Sequence, residues 1–308
     1  LTFSRTIFKF SHLNFIKTVI HIIMTEYLKS HYNLDDPNFV SIIDEIPLWS
    51  APFGLKILDT IQYKRRIKVL DIGLGLGFPS IELAMRLGNS SKVYGLDPWK
   101  AGIERAKQKM RMFGLSNVEF FEGCAEQMPF ESTFFDLIVS NNGINNVQDV
   151  EKTFQECNRV SKIGARFVFT FNTDRTFKEF YNIYRQVLNE NNLEKYNDKI
   201  TEHIYSKRKP VSEIENYLKY SGFKIDSIHE DIFYYQFSDG TAMLNHAVIK
   251  YAFMESWKKI IPIYYQVKIF KQIENRLNAQ AAKAGGFSMQ VPFVTMDCEK
   301  EKNPTLKS

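Results

Sequence analysis

Residues 69 to 84, Val69-Leu-Asp-Ile-Gly-Leu-Gly-Leu-Gly-Phe-Pro-Ser-Ile-Glu-Leu-Ala84, constrain the fold of this chain more than any other stretch. A short apolar run from Ile67 to Ile72, with charge before it and glycine after it, has the pattern of a buried strand in a parallel sheet. Gly73, Gly75 and Gly77 then permit a tight turn and a close approach of backbone to ligand, because none carries a Cβ. A helix is expected from Phe78, with Pro79 in its first turn and Ile81, Leu83 and Ala84 buried, closing at Arg86 and Gly88. Strand, glycine turn and helix make a nucleotide-binding corner, with the helix N-terminus towards the ligand.

The turn after the strand does not carry the dinucleotide fingerprint G-x-G-x-x-G. The glycines here are Gly73, Gly75 and Gly77, and Phe78 stands where that fingerprint requires glycine. An ordinary strand-to-helix turn also gives such clusters, so the downstream sequence has to decide. Strands are expected at Val93–Leu96, Val118–Phe121, Phe135–Ser140 and Ala165–Phe171, alternating with helices at Lys100–Phe113 and Val150–Val160. That rhythm implies right-handed crossovers and a doubly wound, mostly parallel sheet. Asp36-Pro37 opens a short helix that Pro47 breaks, and a second amphipathic helix follows Trp49, so two helices precede the first strand as a lid. Trp49 and Phe53 are candidates to line a ligand pocket there, with packing on the sheet the expected role of at least one. After Asn172 the pattern turns helical. Ser212 caps a helix ending at Gly222, and Phe223–Ile228 is a sixth strand. Residues 230–285 read as mostly helical, with Asp239 as a cap and Pro262 as a break, before a last strand at Ser288–Cys298.

Composition narrows the function classes. The net charge is +5, but residues 1–23 hold Arg5, Lys9 and Lys17 and no acid, which leaves 37 basic against 35 acidic residues in the body. A near-neutral body argues against a dedicated nucleic-acid surface. Lys64-Arg65-Arg66 and Lys207-Arg208-Lys209 read as solvated loops. Cys124, Cys157 and Cys298 form no C-x-x-C pair, so neither a disulfide framework nor a thiolate metal site is suggested, and a reducing, cytoplasmic setting fits. No apolar run is long enough for a membrane span. The acid-free segment before Met24 is expected to reflect a start site placed too far upstream, with translation beginning at Met24.

Asp97 ends the second strand about 20 residues beyond Gly77, where a carboxylate belongs that accepts two hydrogen bonds from a ribose diol. With it, the chain resembles the class I S-adenosylmethionine-dependent methyltransferases, in particular the small-molecule branch that includes quinone-biosynthesis enzymes. The segments carrying the resemblance are Val69–Gly77, Val93–Asp97, Gly123-Cys-Ala-Glu-Gln-Met-Pro-Phe130, Phe135–Ser140 and Glu156–Arg166, in the family's order and spacing over about a third of the chain. The resemblance implies S-adenosyl-L-methionine as cofactor. Asp71, Gly73 and Gly75 would hold its methionine end, with Gly77 completing the turn. Asp97 would take the ribose, Pro98 or Trp99 would lie near the adenine, and Ala125 would flank it. The family's usual acid before that alanine is Cys124 here, so either Glu126 or a backbone carbonyl would substitute, or cofactor affinity would be lower than is usual in the family. Ser140, Asn141 and Asn142 would sit beside the sulfonium, and Asn145-Asn146 replace a frequent histidine pair.

The resemblance also implies a Rossmann-like sheet of seven strands. The family usually joins its last two strands in a tight hairpin, and this chain departs from that. About sixty residues separate Ile228 from Ser288, so a helical, aromatic-rich cap is expected after strand 5 and between the last two strands. The expected organisation is an extension (1–35), lid helices and cofactor core (36–172), cap with the last two strands (173–298) and a polar tail (299–308). Cap aromatics facing inward would suit an apolar or aromatic small-molecule acceptor. Methyl transfer by in-line displacement needs mainly positioning and exclusion of water, so no catalytic residue is singled out; His203, His229 and His246 are candidate bases. A nicotinamide-dependent oxidoreductase and a non-catalytic cofactor-binding module remain open at this point. No metal is implied, and the oligomeric state is not written in local patterns.

Overall fold

The computed structural model describes residues 26–29, 32–45 and 49–302. The expectations for residues 1–23, Met24, Pro47 and the end of the polar tail fall outside the described residues. In chain order the elements are α1 (Pro37–Asp44), α2 (Ala51–Thr60), β1 (Lys68–Ile72), α3 (Ser80–Leu87), β2 (Lys92–Asp97), α4 (Lys100–Met112), β3 (Val118–Glu122), β4 (Phe135–Asn141), α5 (Val150–Val160) and β5 (Ser161–Asn172). There follow α6 (Lys178–Glu190), α7 (Asn197–Lys207), α8 (Val211–Tyr220), β6 (Phe223–Phe237), α9 (Gly240–Asn245), α10 (Met254–Lys258), α11 (Ile263–Ala284) and β7 (Phe287–Lys300).

The seven strands form one sheet in the order β3-β2-β1-β4-β5-β7-β6. β1 to β5 pair in parallel, and β7 runs antiparallel to β5. The doubly wound, mostly parallel sheet read from the sequence is therefore the fold. The strand period of two sorts the side chains. Leu70, Ile72, Leu96 and Phe169 enter one buried cluster with Phe154 of α5 and Ile214 and Leu218 of α8. Val69, Val93, Val139 and Val168 enter another, with Ile57 of α2, Leu83 of α3 and Ile103 of α4. Helices thus cover both faces, as parallel strands require.

Two sequence expectations need correction. β6 extends to Phe237 rather than ending at Ile228, because Ile232, Phe233, Tyr234, Tyr235 and Phe237 are β-branched or aromatic and their exposure alternates along the strand. The helical stretch between the last two strands is correspondingly shorter, from Gly240 to Ala284. Ser212 is not a cap: α8 begins at Val211 behind Pro210, with no side chain capping it. Asp36 and Asp239 do cap their helices, accepting hydrogen bonds from the backbone N–H of Asn38 and Ala242.

The chain divides into two compact units. One comprises residues 33–177, 204–234 and 290 onward, and holds β1 to β5. The other takes residues up to Tyr32 with Lys178–His203 and Tyr235–Met289. Its core is aromatic: Trp257 is fully buried, stacks on Phe180 at 3.9 Å and donates from Nε1 to the Tyr181 hydroxyl. Glu274 is buried there too, and accepts hydrogen bonds from Tyr27, Thr241 and Lys271. Among the described residues, no helix is long and apolar enough to cross a membrane.

Candidate active site

The glycine corner is tied to its neighbouring strand by backbone bonds. The N–H groups of Gly73 and Leu74 both donate to the Leu96 carbonyl at the end of β2. Gly73, Gly75 and Gly77 all have positive φ, which a side chain would strain. Their surroundings differ. A Cβ on Gly77 would lie 2.8 Å from Ile81 Cδ1 and 3.0 Å from Ala106 Cβ, so that glycine lets α3 and α4 pack. A Cβ on Gly75 would meet nothing within 4 Å, so the space beside its Cα is open to a ligand.

Asp97 closes this corner. Its Oδ2 accepts from Gly75 N–H and its Oδ1 from Trp99 N–H, each at 2.8 Å. Burial raises its carboxyl above the usual range, while those two N–H groups pull the other way. Each oxygen still has a lone pair to offer. From β4, Ser140 Oγ donates to the Ile72 carbonyl at 2.8 Å, and a Cβ on Gly143 would come within 2.7 Å of both Ile72 O and Ser140 Oγ. The loop after β4 is therefore pressed against the end of β1. Asn141 donates from Nδ2 to Ser50 O at 3.1 Å, and its buried Oδ1 has no hydrogen-bond partner among the described residues.

These ends of β1, β2 and β4 enclose a cleft of about 400 Å3, within the range for small-molecule sites. Of the residues expected to hold the ligand, Gly73, Gly75, Asp97, Pro98, Cys124, Ala125, Glu126, Asn141 and Asn142 line it. Asp71, Gly77, Trp99 and Ser140 do not. Asp71 lies on the opposite strand face from Ile72, fully buried, with Ser80 Oγ donating to its Oδ2 at 2.5 Å and its Oδ1 without a partner among the described residues. Trp99 is turned away: its Nε1 donates to Leu34 O, and its ring covers Gly102. Cys124 is exposed. Glu126 lines the cleft, yet its Oε1 already accepts from the N–H groups of Gln148 and Asp149, so it holds the loop rather than standing free.

The two aromatic candidates of the lid divide their roles. Trp49 lines the cleft, whereas Phe53 is fully buried behind it, 5.5 Å away ring centre to ring centre. Phe177 lies 5.9 Å from Trp49 and Phe293 lies 4.9 Å from Phe53, and these two partners in the aromatic wall were not singled out from the sequence. Nor was Gly54 on α2, where a Cβ would meet Phe78 Cε1 at 2.1 Å and Asn141 Nδ2 at 3.1 Å. A lone glycine in a helical pattern was the available signal. None of the three candidate histidines lines the cleft. His203 Nε2 lies 3.1 Å from the Tyr181 hydroxyl, His229 is exposed on β6, and burial lowers the His246 imidazole. Asn145 is spent on backbone, donating to Asn172 O and Lys207 O, while Asn146 lines the cleft. Among the described residues no cluster of three or more His, Cys, Asp or Glu side chains is placed to hold a metal ion.

A family model described as a methyltransferase domain matches residues 63–276. The demethylmenaquinone methyltransferase of Geobacillus stearothermophilus is 34% identical over 128 residues, covering 42% of this chain and 55% of that protein. The enzyme of the same name from Bacillus subtilis is 29% identical over 140 residues, covering 46% and 58%. The chain thus spans little more than half the length of these relatives. Among solved structures, the YcgJ protein of Bacillus subtilis superposes with a TM-score of 0.54 at 20% identity, covering 82% of this chain and 98% of that one. A protein of Bacillus halodurans C-125 gives 0.53 at 21% identity, covering 81% and 99%. At such identities the two structures share the fold.

Proposed function

The chain belongs to the methyltransferase-domain family, and on that premise we propose that it transfers a methyl group from S-adenosyl-L-methionine to a small apolar or aromatic acceptor. The reading is carried by Asp97, a carboxylate fixed by the backbone N–H groups of Gly75 and Trp99 at the edge of a cleft that Gly75, bare of a side chain, also lines. The cofactor fits the groups present. Asp97 has lone pairs left for a vicinal diol, and the unpartnered Asn141 Oδ1 is an acceptor awaiting a donor such as an ammonium N–H. Pro98, Gly123, Cys124 and Ala125 supply a mostly apolar slot for a purine. Glu126 anchors Gln148 and Asp149 through Oε1, which leaves its Oε2 or a backbone carbonyl to receive the purine amino group.

When bound, the cofactor supplies an electrophilic methyl carbon on a sulfonium. The task left to this chain is to orient an acceptor in line with it and keep water out, which can be worth roughly 7–11 kcal/mol. Asn145 and Asn146 are amides and cannot take a proton, so the reaction rests on positioning. The relatives' names point to a quinone-like ring as the acceptor class, and Trp49 offers such a ring an aromatic edge. Three free cysteines suit a reducing, cytoplasmic compartment.

Calorimetry tests the reading. Wild-type protein is expected to bind S-adenosylmethionine and S-adenosylhomocysteine, and D97A to bind both about 10- to 100-fold more weakly, the scale of hydrogen bonds to a charged group. No heat of binding in the wild type would overturn it. Formation of S-adenosylhomocysteine with a panel of aromatic acceptors then separates an enzyme from a binding module.

A further inference from the structure

The basic triplet Lys207-Arg208-Lys209 is not the solvated loop expected from the sequence: Lys207 ends α7, and half-buried Lys209 pairs with Glu213. Lys207 is exposed, and Lys209 places its Nζ 3.7 Å over the Tyr205 ring. Arg208 between them is 4% exposed, and its Nε and Nη1 have no hydrogen-bond partner among the described residues. A guanidinium is a cation with five N–H donors and no acceptor, so this is a buried positive charge with unmet donors. Burial of that kind is strongly unfavourable unless an anion or polar group meets it.

Its position in the fold indicates which anion. Asn145 Nδ2 donates both to Lys207 O, at 2.8 Å, and to Asn172 O, at 3.1 Å, which pins the residue before Arg208 to the carboxyl end of β5. β5 pairs with β4, whose last residue, Asn141, lines the cofactor cleft. The next residue after β5, Thr173, buries a hydroxyl that also lacks a partner among the described residues. The segment then enters α8, ten residues long, with no side chain capping its N-terminus and with Glu213 in its first turn. No residue from 204 to 210 lines the cofactor cleft, so the anion is not one carried by the cofactor.

We propose that Arg208 binds a carboxylate carried by the methyl acceptor, at the carboxyl end of β5. The inference rests on the methyltransferase reading and gives its acceptor a class: aromatic carboxylic acids. The guanidinium then donates charge-assisted hydrogen bonds to the carboxylate and fixes the ring's position beside the cleft.

Benzoate and benzamide test it, having nearly one shape and differing in charge. Wild type, R208Q and R208K are each saturated with S-adenosylhomocysteine and titrated with both probes by calorimetry. Wild type is expected to prefer benzoate by about tenfold or more, R208Q to lose the preference, and R208K to keep part of it. No preference in the wild type, whether both probes bind or neither does, overturns the proposal, as does an undiminished preference in R208Q. Melting curves and the heat of S-adenosylhomocysteine binding report whether each variant is folded. Should R208Q fail to fold, the comparison falls to R208K, where an undiminished preference is again the overturning result. Nucleoside binding without a benzoate preference removes this inference alone; a benzoate preference without nucleoside binding removes the methyltransferase reading instead.

Discussion

Asp71 is a carboxyl group without water. Burial pushes it up to about 7 from 3.8, with Ser80 donating a hydrogen bond against that trend and Asp97 adding repulsion. Because the folded value lies above the unfolded one, the unfolded chain releases this proton first as pH rises. The group's favourable contribution is therefore complete below about pH 3.8 and gone above about pH 7. D71N removes the titration. Its stability relative to wild type should rise by about 3 kcal/mol between pH 5 and pH 8 in urea unfolding without ligand. A pH-independent difference would refute the assignment. At this scale the sequence disclosed what is encoded locally: the glycine spacing and Asp97 follow from one strand-turn-helix. Arg208 was illegible for the opposite reason. Its triplet is hydrophilic, and a contact that holds the segment, from Asn145 to Lys207, comes from 62 residues away.

α2 shows how a helix with an unremarkable pattern comes to matter. Its Gly54 faces the Phe78 ring and the Asn141 amide so closely that a methyl group has no room. Alanine is the better helix former by about 1 kcal/mol, but displacing a packed ring costs about 1–3 kcal/mol. G54A should therefore be destabilised by up to about 2 kcal/mol, seen as a lower urea midpoint with an unchanged slope. It should also bind S-adenosylhomocysteine more weakly, because Asn141 moves with the ring. The order of strands and helices was legible throughout, since parallel strands buried on both faces write continuous apolar runs. β6 was only half legible. Asp226 and the run His229-Glu230-Asp231 interrupt its apolar pattern, and the aromatic residues beyond them suit helix and strand alike until a neighbouring strand decides.

The whole molecule is two units threaded by one chain, which passes between them after residues 32, 177, 203, 234 and 289. The sequence suggested a break at 172 and a contiguous second region. What it could not express is that β6 and β7 each contribute residues to both units. Shared strands should make unfolding cooperative. Trp257 lies in the helical unit, Trp49 and Trp99 in the other, so W49F/W99F fluorescence follows the helical unit alone. Its urea midpoint should agree with that from circular dichroism of the same variant to within about 0.3 M, and a wider gap would mean that the units melt separately.

The position of β7 in the sheet has a consequence for biosynthesis. It lies between β5 and β6, yet about fifty residues separate the end of β6 from its start. On a ribosome adding 5–20 residues per second, β6 waits for roughly 3–10 seconds before its sheet neighbour has been made. The acidic residues Asp226, Glu230 and Asp231 along that waiting strand are the kind of gatekeeper that discourages pairing with another nascent chain.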